Sequence, residues 1–178
     1  MTASYSLRPL VLGLFPTTRG FGWVVFEGPF AVVDYGLFTA FKDKNPACLE
    51  RIDALLGKFL PETVVVEAFD PALTRRHPRI QRLGLSITAL VNDRGHNLTI
   101  FERWQVRIAF AGVGAVGRQE IAEAVARLVP MLSHRLPKRR KSYESEPRDM
   151  AIFNAAALVL THYHFGCQDV LDGLREAA

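Results

Sequence analysis

The sequence predicts an α/β protein in which helices flank a mixed five-stranded sheet. Three short apolar segments joined by turn residues open the chain, and strand segments then alternate with amphipathic helices. The chain has 178 residues, of which 49% are hydrophobic, enough for the core of one compact domain. We therefore expect a single domain over residues 1–178.

The first three predicted strands form one group. Segments rich in valine and aromatic residues cover Leu10–Phe15, Phe21–Phe26 and Phe30–Phe38. Turn signals separate them at Pro16–Gly20 and Glu27–Pro29. Connections this short predict an antiparallel meander.

Strand and helix segments alternate in the rest of the chain. Apolar spacings of three and four predict helices over Pro46–Leu60, Pro78–Val91, Arg118–Val129 and Pro147–His164. Short apolar runs predict strands at Val64–Glu67 and Leu98–Phe101. This order of elements is typical of the ribonuclease H-like fold.

Composition limits the classes of function. The net charge of +4 and the pI of about 9.3 point mildly to a polyanionic partner. The two cysteines, Cys48 and Cys167, match no zinc spacing or disulfide framework, so we expect a reduced, cytoplasmic setting. Met1–Pro9 lacks the apolar run of a signal peptide and Leu10–Phe15 is too short to span a bilayer, so no membrane partner is expected.

A glycine motif precedes one predicted helix. Gly112–Gly117 matches G-x-G-x-x-G and follows Val106–Phe110, whose composition would also suit a strand, as in a dinucleotide fingerprint. The region where a second strand should end in an acid, Pro130–Lys141, is instead basic and broken by prolines. We therefore expect no nicotinamide or flavin cofactor. Backbone N–H groups before a helix would still suit a DNA phosphate.

Two dense basic clusters predict a nucleic-acid partner. The first cluster contains Arg75, Arg76, His77, Arg79 and Arg82. The second covers His134–Lys141 and includes Arg139, Arg140 and Lys141. Arginine and lysine at this density attract phosphate backbones without reading base sequence, whereas a solvated loop is the alternative for either cluster alone.

Acidic residues are the candidates for phosphodiester chemistry, which in this fold class uses two metal ions held by several carboxylates. Glu67 ends a predicted buried strand, where desolvation of its charge is costly. A metal ion, a partner arginine or exposure at the strand end would each explain it. Asp149 and Asn154 on the last helix are further candidates, but a spacing of five does not place them well on one face.

Five segments in order resemble motifs of the RuvC family, the bacterial Holliday junction resolvases of the ribonuclease H-like superfamily. They are Leu12–Gly22, Val65–Phe69, Leu83–Gly84 with the helix that follows, Trp104–Arg118 and Asn154–His164. The resemblance implies a magnesium- or manganese-dependent endonuclease of DNA recombination and repair, which acts on branched DNA as a homodimer. It also implies DNA contacts by Arg107, Gly112, Gly114 and Arg118, with Arg118 at the position of a lysine near the cleaved phosphate.

The acidic positions depart from the family pattern. The first aspartate of the family falls on Phe15, and its two aspartates on the final helix fall on Ala151 and Asn154. Only Glu67 keeps a carboxylate in register, and one carboxylate cannot hold a pair of hard cations. The leading hypothesis is therefore a RuvC-like protein that binds branched DNA and has a lost or weakened nuclease site.

Two other functions are considered. An active structure-selective endonuclease would use a reduced metal site of Glu67 and Asp149, with Asn154 and with His162 or His164 nearby. A structural or regulatory protein that binds no DNA would instead present aromatic residues as a protein-binding patch. The aromatics in question are Phe15, Phe21 and Trp23, for which core packing is the preferred explanation. Packing is likewise preferred to base stacking for Trp104.

Overall fold

The computed structural model describes residues 8–72 and 74–176, with side chains described as far as residue 166. The strands are β1 (Val11–Pro16), β2 (Gly20–Phe26), β3 (Val32–Thr39), β4 (Thr63–Glu67) and β5 (Asn97–Phe101). The helices are α1 (Lys44–Phe59), α2 (Pro78–Asp93), α3 (Arg103–Ala111), α4 (Arg118–Leu128) and α5 (Met150–Glu176). A short 3₁₀ helix covers Pro130–Arg135. The side chain of Cys167 and the start of the chain through Leu7 lie outside the described residues.

The five strands form one mixed sheet in the order β3-β2-β1-β4-β5. β1, β2 and β3 pair antiparallel, as the tight turns predict, and β4 pairs parallel to both β1 and β5. The prediction of a five-stranded mixed sheet flanked by helices is thus confirmed.

Helices cover both faces of the sheet because the central strands are apolar on both sides. Leu12 and Leu14 point toward α1 and α2, whereas Val11 and Phe15 belong to the core cluster formed with α3, α4 and α5. The same alternation along β4 sends Val65 to the α5 face. Glu67, two residues later, therefore also faces α5.

Helix α5 lies directly on the backbone of β1 and β2. A Cβ atom added at Gly13 would be 2.6 Å from the carbonyl oxygen of Ala155, and one added at Gly22 would be 2.5 Å from the carbonyl carbon of Ala151. Glycine on the strands and alanine on the helix therefore permit this close approach. It brings the start of α5 next to the end of β1.

Helix α3 was not predicted, and two predicted boundaries, the start of β3 and the extent of the last helix, were wrong. Val106–Phe110 is helical within α3, because Gln105 accepts the Glu102 backbone N–H at 2.8 Å and so closes the first turn. Phe30 lies in the β2–β3 turn with φ of 66° and is exposed, so β3 begins only at Val32. The last helix begins at Met150, three residues after Pro147, and continues past His164 to Glu176. None of the helices in the described part of the chain is long and apolar enough to cross a membrane.

Candidate nucleic-acid interface

The carboxyl ends of three strands meet at one edge of the sheet. β1, β4 and β5 run parallel, so Pro16, Glu67 and Phe101 all end at this edge. Phe15 lies one step beyond the last paired residues of β1 and β4, Leu14 and Val66. Its side chain and that of Glu67 are therefore neighbours on the α5 face.

A cavity of about 510 Å³ opens at this edge, between the strand ends and the segment before α5. Its charged lining consists of six arginines and two glutamates: Arg19, Arg75, Arg76, Arg103, Arg118, Arg148, Glu67 and Glu146. We call this cavity the arginine cleft. A smaller cavity of about 30 Å³ adjoins it and is lined by Arg107 and Asn154 in addition to the shared residues Phe15, Glu67, Arg103 and Arg118.

Glu67 at the end of β4 is paired with an arginine. Oε2 of Glu67 lies 3.5 Å from Nη1 of Arg76, which belongs to the irregular segment between β4 and α2. The side chain of Glu67 is only 13% exposed to solvent, and that of Arg76 only 15%. Of the three explanations left open for Glu67, the structure therefore shows the partner arginine.

Arg76 is held in place by the end of β1. Its Nη2 donates a hydrogen bond to the carbonyl oxygen of Pro16, and its guanidinium carbon lies 4.6 Å from the centre of the Phe15 ring. A guanidinium at this distance is attracted to the face of an aromatic ring. Phe15 thus supports a cation at the position where the resemblance implied an aspartate.

Positive charges crowd the arginine cleft. Burial lowers the pKa of Arg76; Glu67 opposes this fall, and the charges of Arg118 and Arg103 add to it. Burial also lowers the pKa of Arg103, and Arg118 again adds to the fall. Arg76, Arg103 and Arg118 therefore lie close enough to disfavour one another's charge, and Arg76 is the most buried of the three.

Other contacts join the cleft to the segment before α5. Nη1 of Arg118 lies 2.6 Å from Oε1 of Glu146, and Arg148 donates a hydrogen bond to the hydroxyl of Thr39. Glu146 therefore neutralises part of the charge of Arg118, whereas Arg103 remains exposed at the start of α3.

The residues at this edge do not fit a pair of metal ions. Divalent hard cations need several anionic oxygens, and Glu67 already shares its charge with Arg76. Asp149, the second predicted ligand, instead accepts two hydrogen bonds from Arg135 at 2.7 and 3.1 Å, and this contact raises the pKa of Arg135. Within residues 8–72 and 74–166, no three acidic, histidine or cysteine side chains cluster as a metal site would require. Glu67 and Asp149 therefore do not converge on one cation.

Asn154 is the predicted site residue on α5 that does reach the site. It lines the smaller cavity, and its side-chain nitrogen is buried without a hydrogen-bond partner in the described part of the chain. His162 and His164 lie more than two turns further along α5. Neither of them lines either cavity.

The predicted DNA-binding residues separate into two groups. Arg75, Arg76, Arg107 and Arg118 line the cavities. The other predicted arginines and Lys141 pair with groups of the chain itself or lie on the surface outside the two cavities. Arg79 donates to Asn45 and to the carbonyls of Thr17 and Thr18, Arg139 pairs with Glu123 at 2.8 Å, Arg140 donates to the carbonyl of Glu144, and Arg82 and Lys141 are exposed.

The glycine loop connects two helices rather than a strand and a helix. Gly112 ends α3, and Gly114 adopts φ of 73° in the turn that follows. Glu120 accepts the backbone N–H groups of Val116 and Gly117 at 2.9 and 3.0 Å, which lowers its pKa. The donors of Val116 and Gly117 before α4 are therefore occupied by a carboxylate of the chain itself, and DNA contact at Gly112 and Gly114 stays a prediction.

The aromatic residues differ in their exposure. Phe15, Phe21 and Trp23 are buried, as core packing predicts, and they form no surface patch. Trp104 is 54% exposed on α3, where its ring nitrogen donates to Glu102 at 2.9 Å. The packing role expected for Trp104 was wrong because it occupies the solvent side of the first helical turn.

Sequence reasoning missed Arg19, Arg103 and Arg148. Arg103 follows the end of β5 by two residues, as Arg19 follows the end of β1 by three. For Arg19 and Arg103, proximity to the ends of parallel strands was the available signal, because such strand ends share one edge of a sheet.

Comparisons with known proteins identify the fold. No family model and no curated protein matches the chain. RuvC of Thermus thermophilus superposes with a TM-score of 0.64 at 20% identity, over 90% of this chain and 96% of that one. T. thermophilus RuvC in complex with a Holliday junction substrate gives 0.65 at 21% identity, over 89% and 94%. The yeast mitochondrial Holliday junction resolvase Ydc2 gives 0.57 at 10% identity, over 90% and 80%. The chain therefore has the RuvC-like, ribonuclease H-like fold that its sequence predicts.

Proposed function

We propose that this protein binds branched DNA through phosphate contacts and does not cleave it by the two-metal reaction. The observation that carries the proposal is the arginine cleft, which stands where three parallel strands end. Six arginines face two glutamates there, so the cleft has a surplus of positive charge. The shared fold with a RuvC that was solved on a Holliday junction substrate supports the choice of branched DNA.

The DNA-binding part of the proposal rests on electrostatics. Arginine contacts to phosphates release condensed counterions and supply affinity that does not depend on base sequence. Arg75 and Arg103 are exposed at the cleft, and Arg107 is exposed beside it. The exposed ring of Trp104 lies on the same helix as Arg103 and Arg107, where it can stack on an unpaired base at a branch point.

The absence of cleavage follows from the donor set. Metal-assisted hydrolysis needs carboxylates to hold the cations that activate water and stabilise the leaving oxygen. Here Phe15 offers no ligand atom, Glu67 is paired with Arg76, and Asp149 is paired with Arg135. The fold shared with the resolvases RuvC and Ydc2 favours the active endonuclease considered from sequence, whereas this donor set does not.

A binding assay tests the first part. Fluorescence anisotropy with a labelled four-way junction and a duplex of equal length, both in EDTA, should show tighter binding of the junction. Arg103→Gln should weaken junction binding and reduce the slope of log K against log salt by about 1. The matched control is Arg94→Gln, which removes an exposed arginine paired with Asp53 away from the cleft. No junction binding at low salt would refute the proposal.

A cleavage assay tests the second part. The wild-type protein, incubated with the labelled junction in magnesium or manganese, should leave it intact. Cleavage that disappears in Glu67→Gln would overturn the proposal and establish the endonuclease. We further expect the protein to act as a homodimer, which light scattering with and without junction DNA would show as twice the mass of the chain.

A further inference from the structure

The described part of the chain contains two buried side-chain polar atoms without a hydrogen-bond partner, and their residues line two adjoining cavities. The atoms are Nη1 of Arg76, a residue that lines the arginine cleft, and Nδ2 of Asn154, a residue that lines the smaller cavity adjoining it. Nη1 does lie 3.5 Å from Glu67, but this contact is an ion pair rather than a hydrogen bond. Buried polar groups are nearly always paired, so two such atoms at one place need an explanation.

Both atoms are hydrogen-bond donors, which defines the missing partner. A guanidinium and an amide nitrogen need an acceptor, and an oxygen that carries negative charge is the strongest acceptor available. A metal ion cannot accept a hydrogen bond from either atom, and its positive charge would be repelled by Arg76. The chemistry of the unpaired atoms therefore points to an anion.

The surrounding charges point to the same kind of ligand. Arg76, Arg103 and Arg118 come together with only Glu67 and Glu146 as counter-charges, and Arg107 adds a further cation at the smaller cavity. An anion that enters among these cations would relieve their mutual repulsion. The cleft volume of about 510 Å³ lies within the range of small-molecule sites, roughly 300–1,000 Å³.

We propose that the arginine cleft binds a phosphate group directly, through Arg76, Arg103, Arg118 and Asn154, without a metal ion. This inference rests on the proposed function and makes it more specific. The site has the opposite polarity to a two-metal nuclease centre, because donors and cations stand where such a centre needs carboxylates. The phosphate belongs either to the DNA backbone or to a free nucleotide or inorganic phosphate.

Removal of the Glu67 carboxylate tests whether the site binds an anion directly or needs a metal ion. At a metal-dependent site, Glu67→Gln would abolish ligand binding. At a direct phosphate site the same change should tighten binding about three- to tenfold, because the carboxylate repels the ligand. The ligand probe is inorganic phosphate, titrated in EDTA at constant ionic strength, with thermal unfolding as the readout. Phosphate should raise the melting temperature of the wild-type protein in EDTA. This rise should not require that 10 mM magnesium replace the EDTA.

Two cleft variants and one control complete the phosphate experiment. Arg103→Gln changes an exposed residue, and Asn154→Leu removes the unpaired amide while keeping its size, so both should fold. Each cleft variant should lose most of the phosphate-dependent rise in melting temperature, whereas Arg94→Gln should keep it. A rise that is equal in all four proteins, no rise in wild type, or a rise that requires magnesium and Glu67 would overturn the proposal.

Junction DNA then identifies the source of the phosphate. If the cleft holds a DNA phosphodiester, Asn154→Leu should weaken junction binding in EDTA about tenfold, and inorganic phosphate should compete with the junction. If it holds a free phosphate or nucleotide, Asn154→Leu and Arg94→Gln should bind the junction equally while only Asn154→Leu loses the response to phosphate. Either result supports the phosphate site. Because the phosphate titration uses no DNA, a failure of junction binding refutes the proposed function without deciding this inference.

Discussion

Replacement of Arg76 by methionine should destabilise the protein by about 3 kcal/mol. The change removes an arginine–aromatic contact worth about 0.5–2 kcal/mol and a charged hydrogen bond to Pro16 worth about 1.5–3 kcal/mol. It also leaves Glu67, whose side chain is only 13% exposed, without its counter-charge. Loss of one partner from a buried pair costs about 3–5 kcal/mol.

The net value is smaller than the sum because three effects oppose it. The variant no longer buries a guanidinium, and Arg103 and Arg118 no longer repel it. Methionine also retains most of the contact with the Phe15 ring. At about 2–4 °C per kcal/mol for a protein of this size, the melting temperature should fall by about 6–12 °C.

Urea denaturation followed by far-ultraviolet circular dichroism measures the effect. The double variant Arg76→Met with Glu67→Leu should recover about 2 kcal/mol relative to Arg76→Met alone, since it removes both charges. Arg94→Met, which breaks an exposed pair, should cost no more than about 1 kcal/mol. A loss below about 1 kcal/mol in Arg76→Met, or a double variant that is no more stable than the single one, would show that the pair does not organise this edge.

Three further predictions concern other parts of the fold. Asp149→Asn should cost only about 0.5 kcal/mol in a urea titration, because its pair with Arg135 is about one third exposed, and it should leave junction affinity unchanged; a large loss of affinity would contradict its structural assignment. Gly84→Ala should destabilise by about 1–3 kcal/mol in the same titration, since the new Cβ would lie 1.9 Å from the Phe69 ring, and an unchanged midpoint would contradict that packing. Burial lowers the pKa of His162, so the unfolded chain binds a proton more readily and stability should fall as the pH drops below about 6.5; His162→Asn should reduce this loss, and identical pH profiles for both proteins would refute it.

Hydrophobic periodicity predicted the five strands because each of them is fixed mainly by local pattern and turn residues. The same reasoning missed helix α3, which contains Val106–Phe110, a segment whose composition would also suit a strand. The backbone there is helical because Glu102 and Gln105 close the first turn, and because Val106 and Phe110 then pack on the α5 face at a spacing of four. The composition of this segment alone does not predict that it packs on α5 as a helix.

The members of the candidate site were predicted only in part, since Arg19, Arg103 and Arg148 were missed, and its contacts were not predicted. Glu67 was identified because an acid at the end of a buried strand needs a partner. The choice of Arg76 depends on the path of the irregular segment after β4, which no periodicity describes. Arg79, in the same basic cluster, instead holds the turn at Thr17 and Thr18. Arg76 and Arg79 therefore differ in role because the backbone places their side chains against different partners.

The position of Arg76 over the Phe15 ring has an evolutionary consequence. An aspartate introduced at position 15 alone would meet this guanidinium before any metal ion, and the arginine would be shared between two acids. Loss of Arg76 alone would leave Glu67 uncompensated beside an apolar ring. Neither single replacement leads to a functional cation centre, so mutational paths from this arrangement to one require coordinated changes at both positions. Residues 15, 67 and 76 are in contact through Arg76, so we expect the effects of replacing them to be non-additive.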